Sequence, residues 1–216
     1  GQDGDFAQKA LIDRIGNDKL DFSKYQSLAK LENMSFRPRN IELPSRKAKS
    51  YRFAQVGAHD MEKLDDEFDL FYCKAIEHIP DWEMAFASIS SVAKLGAVFY
   101  LKHRPFFSYL GGHRYASIGI PWGHVLLTDH EFRRFVKEFH PERSDEMIEF
   151  FFKGLAYPRY SVADMLRIAQ ANGFIPSGIQ YEPPRYITKS ALFIDDVDNF
   201  WDIVWHNYPR VSTDEL

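Results

Sequence analysis

Three histidines, His103, His113 and His124, share one segment with Arg104, Tyr109, Tyr115 and Trp122. Imidazole titrates near neutral pH and can both donate and accept hydrogen bonds. Interleaved with aromatic faces and a guanidinium, these side chains suit a ligand with hydroxyls and flat apolar surfaces, such as a sugar or a phenol. His103, Arg104, Tyr115 and Trp122 are therefore the expected substrate contacts. The competing expectation is that the histidines only order a loop. Their spacings of ten and eleven residues match no helical or hairpin metal motif, so no metal site is assigned. Cys73 lies in an apolar run and reads as an inert core thiol. Phe150-Phe151-Phe152 could serve as a lid or a homodimer contact, with core packing the plainer expectation.

The segment from His103 to Leu127 is long and irregular, and loops of that length inside a domain are commonly functional. The elements around it must hold it in place. Phe68–Cys73 and Ala97–Leu101 are short apolar runs that read as strands, as does Tyr51–Val56. Met84–Leu95 has helical apolar spacing and ends at Gly96. Thr128 with Glu131, and Ser161 with Asp164, have the spacing of capping boxes. They open helices that end near Phe139 and Gly173. Ser144–Gly154 and Asp198–Tyr208 read as further helices, and Ile175–Tyr181 with Ser190–Ile194 as an antiparallel strand pair. Upstream, a helix is expected over Asp5–Ile15, after Gly1 and Gly4, and a second after the Ser23/Gln26 pair. Strands alternating with helices predict an α/β fold with a mostly parallel sheet covered on both faces.

Composition narrows the classes. The chain has 216 residues, 45% of them hydrophobic and 27% charged, which is ordinary for one globular domain. Its net charge of −4 argues against binding to a phosphate backbone. No apolar run reaches the roughly 20 residues that cross a bilayer, and one cysteine fits a reducing compartment. The expectation is a cytoplasmic protein with a small-molecule substrate, and with neither nucleic acid nor membrane as partner.

Phe68-Asp69-Leu70-Phe71-Tyr72-Cys73, then Glu77-His78-Ile79-Pro80-Asp81, a helix and Lys94-Leu95-Gly96 before another strand, form a recognisable series. It resembles the class I S-adenosylmethionine-dependent methyltransferases, in particular the small-molecule, type 11-like group. The resemblance covers roughly residues 50–102 and 160–182. It implies a Rossmann-like, mostly parallel sheet flanked by helices, with an antiparallel C-terminal strand pair. It also implies a helical substrate-recognition insertion over 103–160, within a single domain spanning 1–216.

On this resemblance Asp60 would accept from the adenine amine of S-adenosylmethionine, and Met61 would meet the ring through its amide and thioether. Asp21 would hold the ribose hydroxyls, and Gly1 and Gly4 would let the backbone approach the cofactor. Lys74 takes the position after the strand, close to the transferred methyl. Each has a plainer alternative: Asp60 as a capped turn, Asp21 as a solvated loop acid, and Glu77 and His78 as loop-orienting groups. The family's apolar strand before the glycine turn is missing upstream of Gly1, so a fragment lacking its first strand is expected. The implied activity is methyl transfer to a hydroxyl of a sugar or secondary metabolite, with His113 or His124 as the acceptor's base and His103 behind them. The alternative is a catalytically inactive, methyltransferase-like binding or scaffolding module.

Overall fold

The computed structural model describes residues 54–113, 115–180 and 193–216. These form a mixed α/β structure with a two-stranded parallel sheet and helices. Strand β1 (Phe68–Cys73) has the expected limits. Strand β2 (Ala93–Leu101) begins four residues before the expected one. The pairing is regular from Leu70–Val98 to Cys73–Leu101, with a register shift between Phe68 and Leu70. The expected Lys94-Leu95-Gly96 turn is therefore an irregularity inside β2, where Gly96 has φ of +81° and Leu95 is fully exposed.

The crossover between the strands contains helix α1 (Trp82–Ser91). Asp81 caps it, its carboxylate accepting from the Met84 amide at 3.0 Å. Trp82, Ala85, Phe86 and Ile89 recur at helical spacing and are buried. Phe71, Ile89 and Val92 pack with Phe99 between sheet and helix. The opposite side of the sheet, with Leu70, Tyr72, Val98 and Tyr100, is more than half exposed. Both faces were expected to be covered. Among the described residues the covering lies on one.

After β2 the chain builds a helical layer. It comprises α2 (Gly123–Leu126), α3 (Asp129–Phe139), α4 (Ser144–Glu149) and a π-helical turn over Phe150–Gly154. Both capping boxes form: Thr128 with Glu131 opens α3, and Ser161 with Asp164 opens α5 (Val162–Ala171). The last helix, α6 (Phe200–Asn207), packs into the same core. Phe151 is buried and stacks on Phe132 at 3.9 Å, so the middle of the phenylalanine run is core.

The expected C-terminal strand pair is not found in its described parts. Residues 175–180 hold no strand, and residues 193–196 are helical. Pro176 removes a ladder donor, and Ile175 and Ile179 stay exposed instead of packing against a partner. Phe193 is fully buried, its ring near those of Trp122 and Phe200. Residues 51–53 and the expected elements before them lie outside the described residues, and residues 54–56 carry no strand. No described helix is long and apolar enough to cross a membrane.

Candidate active site

Two side chains follow the carboxyl ends of the two parallel strands. Glu77 stands in the short 3₁₀ turn Ile76–His78 after β1, and His103 two residues after β2. His103 Nδ1 lies 4.0 Å from Glu77 Oε2, with side chains 7% and 13% exposed respectively. That separation is an ion-pair distance and too long for a hydrogen bond. Glu77 Oε2 and both ring nitrogens of His103 are buried without a hydrogen-bond partner. Leaving buried polar atoms unpaired costs about 1–3 kcal/mol each, so the pair is favoured to close on itself or to share a water or another polar group.

These atoms border a cavity that Trp82, Phe106, Gly112, Leu155, Ala156, Arg159 and Tyr160 complete. The enclosed space is small, about 20 Å³, room for little more than a water. It lies where two packed clusters meet, one around Trp82 and Ala156 and the other around Phe106 and Leu155.

The walls are fixed by contacts within the protein. Ala156 N donates to Glu77 O at 2.6 Å, and His78 Nδ1 bonds to Gly154 O, so the turn after β1 is clamped to the end of the helical layer. Trp82 stacks on Tyr160 at 4.5 Å, meets His103 edge-on at 5.5 Å, and donates from Nε1 to Ile76 O. Arg159 donates to the carbonyls of Ala156 and Phe151 and lies 4.7 Å from the centre of the Phe106 ring.

Electrostatics follow from this packing. Burial works to raise the Glu77 carboxyl, but the neighbouring His103, the Glu77 amide and His78 outweigh it and hold the pKa below the ordinary carboxylate value. Burial likewise lowers the Arg159 guanidinium and raises the Tyr160 hydroxyl. A carboxylate beside a largely buried imidazole can orient the ring and stabilise its charge on protonation.

The other expected site residues are distributed unevenly. His124 is in the core: it is buried, its Nε2 donates to Phe106 O at 2.6 Å, and burial pushes its pKa down to about 4. Trp122 is fully buried, and its Nε1 donates to Phe107 O. His124 is thus placed as a core donor and Trp122 as a core ring, away from any ligand surface. His113 is half-buried in an aromatic cluster with His78, Tyr115 and Phe150. Its Nδ1 accepts from the Tyr115 amide. Arg104 and Lys74 are exposed.

Asp60 accepts from Lys63 Nζ at 2.7 Å with its side chain 47% exposed. The Met61 amide donates to Ser88 Oγ at 2.7 Å, and that hydroxyl donates to Glu62. The half-exposed Asp60 can exchange its lysine for a ligand amine, whereas the Met61 amide is already committed. Gly1, Gly4 and Asp21 lie outside the described residues.

Glu77 and His103 are 26 positions apart in sequence, and no local pattern signals their pairing. Trp82, Arg159 and Tyr160 belong to no motif in the sequence. The only local signal for the last two is their position just ahead of the Ser161 cap, where a helix start can aim the preceding side chains inward. Among the described residues no three His, Cys, Asp or Glu side chains cluster as a metal site. No family model, curated protein or solved structure matches the chain significantly.

Proposed function

We propose that the protein is a methyltransferase that passes the methyl group of S-adenosylmethionine to a hydroxyl of a small-molecule acceptor. The observation that carries this reading is that Glu77 and His103, each following the carboxyl end of one of two adjacent parallel strands, face one cavity. Open α/β sheets bind their ligands outside the carboxyl ends of the strands. The proposal extends the parallel pair to a Rossmann-like sheet in a single domain. It rests equally on the run from Phe68 to Asp81, whose resemblance to the methyltransferases supplies the identity of the cofactor.

S-adenosylmethionine supplies an electrophilic methyl on a sulfonium that leaves as a neutral thioether. The chain's own part is to hold that group, place the acceptor and remove its proton. Asp60 is the adenine-amine acceptor. The Met61 side chain, packed beside Phe71, Ile89 and Val92, can reach the base only through its thioether, because its amide serves Ser88. Gly1, Gly4, Asp21 and Lys74 keep their proposed roles at the cofactor. Positioning of acceptor and methyl carries most of the acceleration, worth about 7–11 kcal/mol at best. Calorimetric titration of the full chain with S-adenosylhomocysteine tests the reading.

A second reading, a binding module that no longer catalyses, is favoured by the Met61 amide being engaged within the protein. It differs by retaining the cavity while failing to turn over any acceptor.

A further inference from the structure

We infer that Glu77 and His103 form a proton-operated clasp: protonating the imidazole draws it onto the carboxylate and locks the chain after β2 to the turn after β1. The inference does not depend on the methyl-transfer reading. It starts from a contact that is close but not made, with 4.0 Å between His103 Nδ1 and Glu77 Oε2 in largely buried surroundings. A charge-assisted hydrogen bond between such groups spans about 2.7–2.9 Å, so the gap is roughly 1 Å too wide. The enclosed space beside the pair, about 20 Å³, accommodates one water while the clasp is open and leaves the ring room to close.

The neighbouring histidines have other work. His78 Nδ1 bonds to Gly154 O, His113 Nδ1 accepts from the Tyr115 amide, and His124 Nε2 donates to Phe106 O. His103 instead has both ring nitrogens buried and unpartnered. A neutral ring gains an ordinary hydrogen bond by closing, whereas an imidazolium gains an ion pair and a bond roughly twice as strong. A buried cation without a partner is costly, so protonation and closure are linked. The proton comes from solvent and returns to it, and no bond between heavy atoms changes. The clasp is closed while the ring is charged and Glu77 is ionised. That window runs from the lowered carboxyl pKa of Glu77 up to the pH at which the ring gives up its proton.

Among the groups around the ring, Glu77 stands at ion-pair distance. On the same turn His78 adds a second, weaker pull on the carboxylate. At the end of β1 burial raises the Cys73 thiol, which stays neutral. Ahead of α5, Arg159 opposes a positive charge on His103, but two of its hydrogen bonds go to the carbonyls of Ala156 and Phe151. Burial raises the Tyr160 hydroxyl, so it too stays neutral. Lys102 and Arg104, beside His103 in sequence, are exposed, where water and salt screen them. The turn that carries Glu77 is held to the helical layer by Ala156 N, and His103 opens the segment that takes Phe106 into that layer's core. Closing the clasp therefore tightens the carboxyl ends of the strands onto the helical layer under mildly acidic conditions, and rising pH loosens them.

The test is a double-mutant cycle of Glu77→Gln and His103→Gln in the full chain, read by denaturant unfolding at about pH 5.5 and about pH 8.5. The unfolding constant should show a coupling of about tenfold between the two positions at the lower pH, falling to about threefold or less at the higher. Coupling that is equal at the two pH values, or greater at the higher, overturns the clasp. Amide exchange at Ala156, corrected for its intrinsic rate, supplies a local readout. Protection should be greater at the lower pH in the wild-type chain and should lose that dependence in His103→Gln. Dependence that survives in His103→Gln and vanishes in His78→Gln assigns the effect to the His78–Gly154 contact and overturns the inference. Where the variants do not fold, NMR of the wild-type chain decides. The Glu77 side-chain carbonyl signal should move in step with protonation of the His103 ring, and a signal that ignores that protonation overturns the clasp.

Discussion

Nδ1 of His103 lies 4.0 Å from Oε2 of Glu77, and neither atom has a hydrogen-bond partner. The pair joins the ends of two parallel strands across one cavity. Burial alone would raise the carboxyl of Glu77, and His103 is the first of the neighbours that reverse the direction. Replacing the ring should therefore release the carboxyl. In His103→Gln the Glu77 pKa should rise, read from its side-chain carbonyl signal by NMR. For a carboxyl held low in the folded state, the associated stability is present above the ordinary carboxylate pKa and is lost as pH falls through the lowered one. An unchanged Glu77 titration would show that the two side chains do not communicate.

A second prediction concerns the buried His124. Its pKa of about 4, against an ordinary 6.5, means that the unfolded chain binds the proton first as pH falls. Its contribution to stability is complete above pH 6.5 and is lost progressively down to about pH 4. At about 1.4 kcal/mol per unit, the loss is on the order of 3 kcal/mol. His124→Gln keeps a donor for Phe106 O without titrating, so its stability should fall less steeply across that window. Denaturant unfolding at several pH values checks this, and parallel curves for the two proteins would refute it.

The same ring constrains its neighbour. Gly111 has φ of +83°, and a Cβ there would stand 3.2 Å from the His124 ring. Gly111→Ala combines a left-handed backbone penalty of about 1–2 kcal/mol with displacement of a fully packed imidazole. A loss above about 2 kcal/mol is expected by denaturant unfolding. A loss under half that would mean the segment relaxes freely.

Another prediction lies at the chain's end. The Glu215 carboxylate accepts from the Val162 and Ala163 amides at 2.9 and 2.8 Å, capping α5 beside Ser161. Glu215→Ala should cost roughly 1–2 kcal/mol through lost first-turn acceptors and the helix dipole. Hydrogen exchange at these two amides should accelerate. Protection equal to wild type would remove the tether.

Local signals carried part of this fold. Phe68–Cys73 was legible because an apolar run stands between an acidic turn and a polar one. Thr128–Glu131 and Ser161–Asp164 were legible because a capping box is complete within four residues. Strand β2 starts early because the irregular Lys94–Gly96 stretch interrupts its alternation without ending it. Ile175–Tyr181 has strand-like residues but, in its described part, no partner to pair with, and pairing is not a local property. At the site, the segment after β2 gave no period from which to tell a core-facing ring from a ligand-facing one. His124 and Trp122 therefore looked as available as His103. Glu77 and Arg159 are far apart in sequence, and folded contacts, Ala156 N with Glu77 O and His78 with Gly154 O, bring them together.

The most direct measurement of the methyl-transfer account is calorimetric titration of the full chain with S-adenosylhomocysteine, followed by the same titration of Asp60→Ala. Saturable binding by the wild-type chain is expected, weakened by well over tenfold, about 1.4 kcal/mol or more, when the Asp60 carboxylate is removed. An intact, folded chain that gives no binding heat at millimolar ligand would contradict the account.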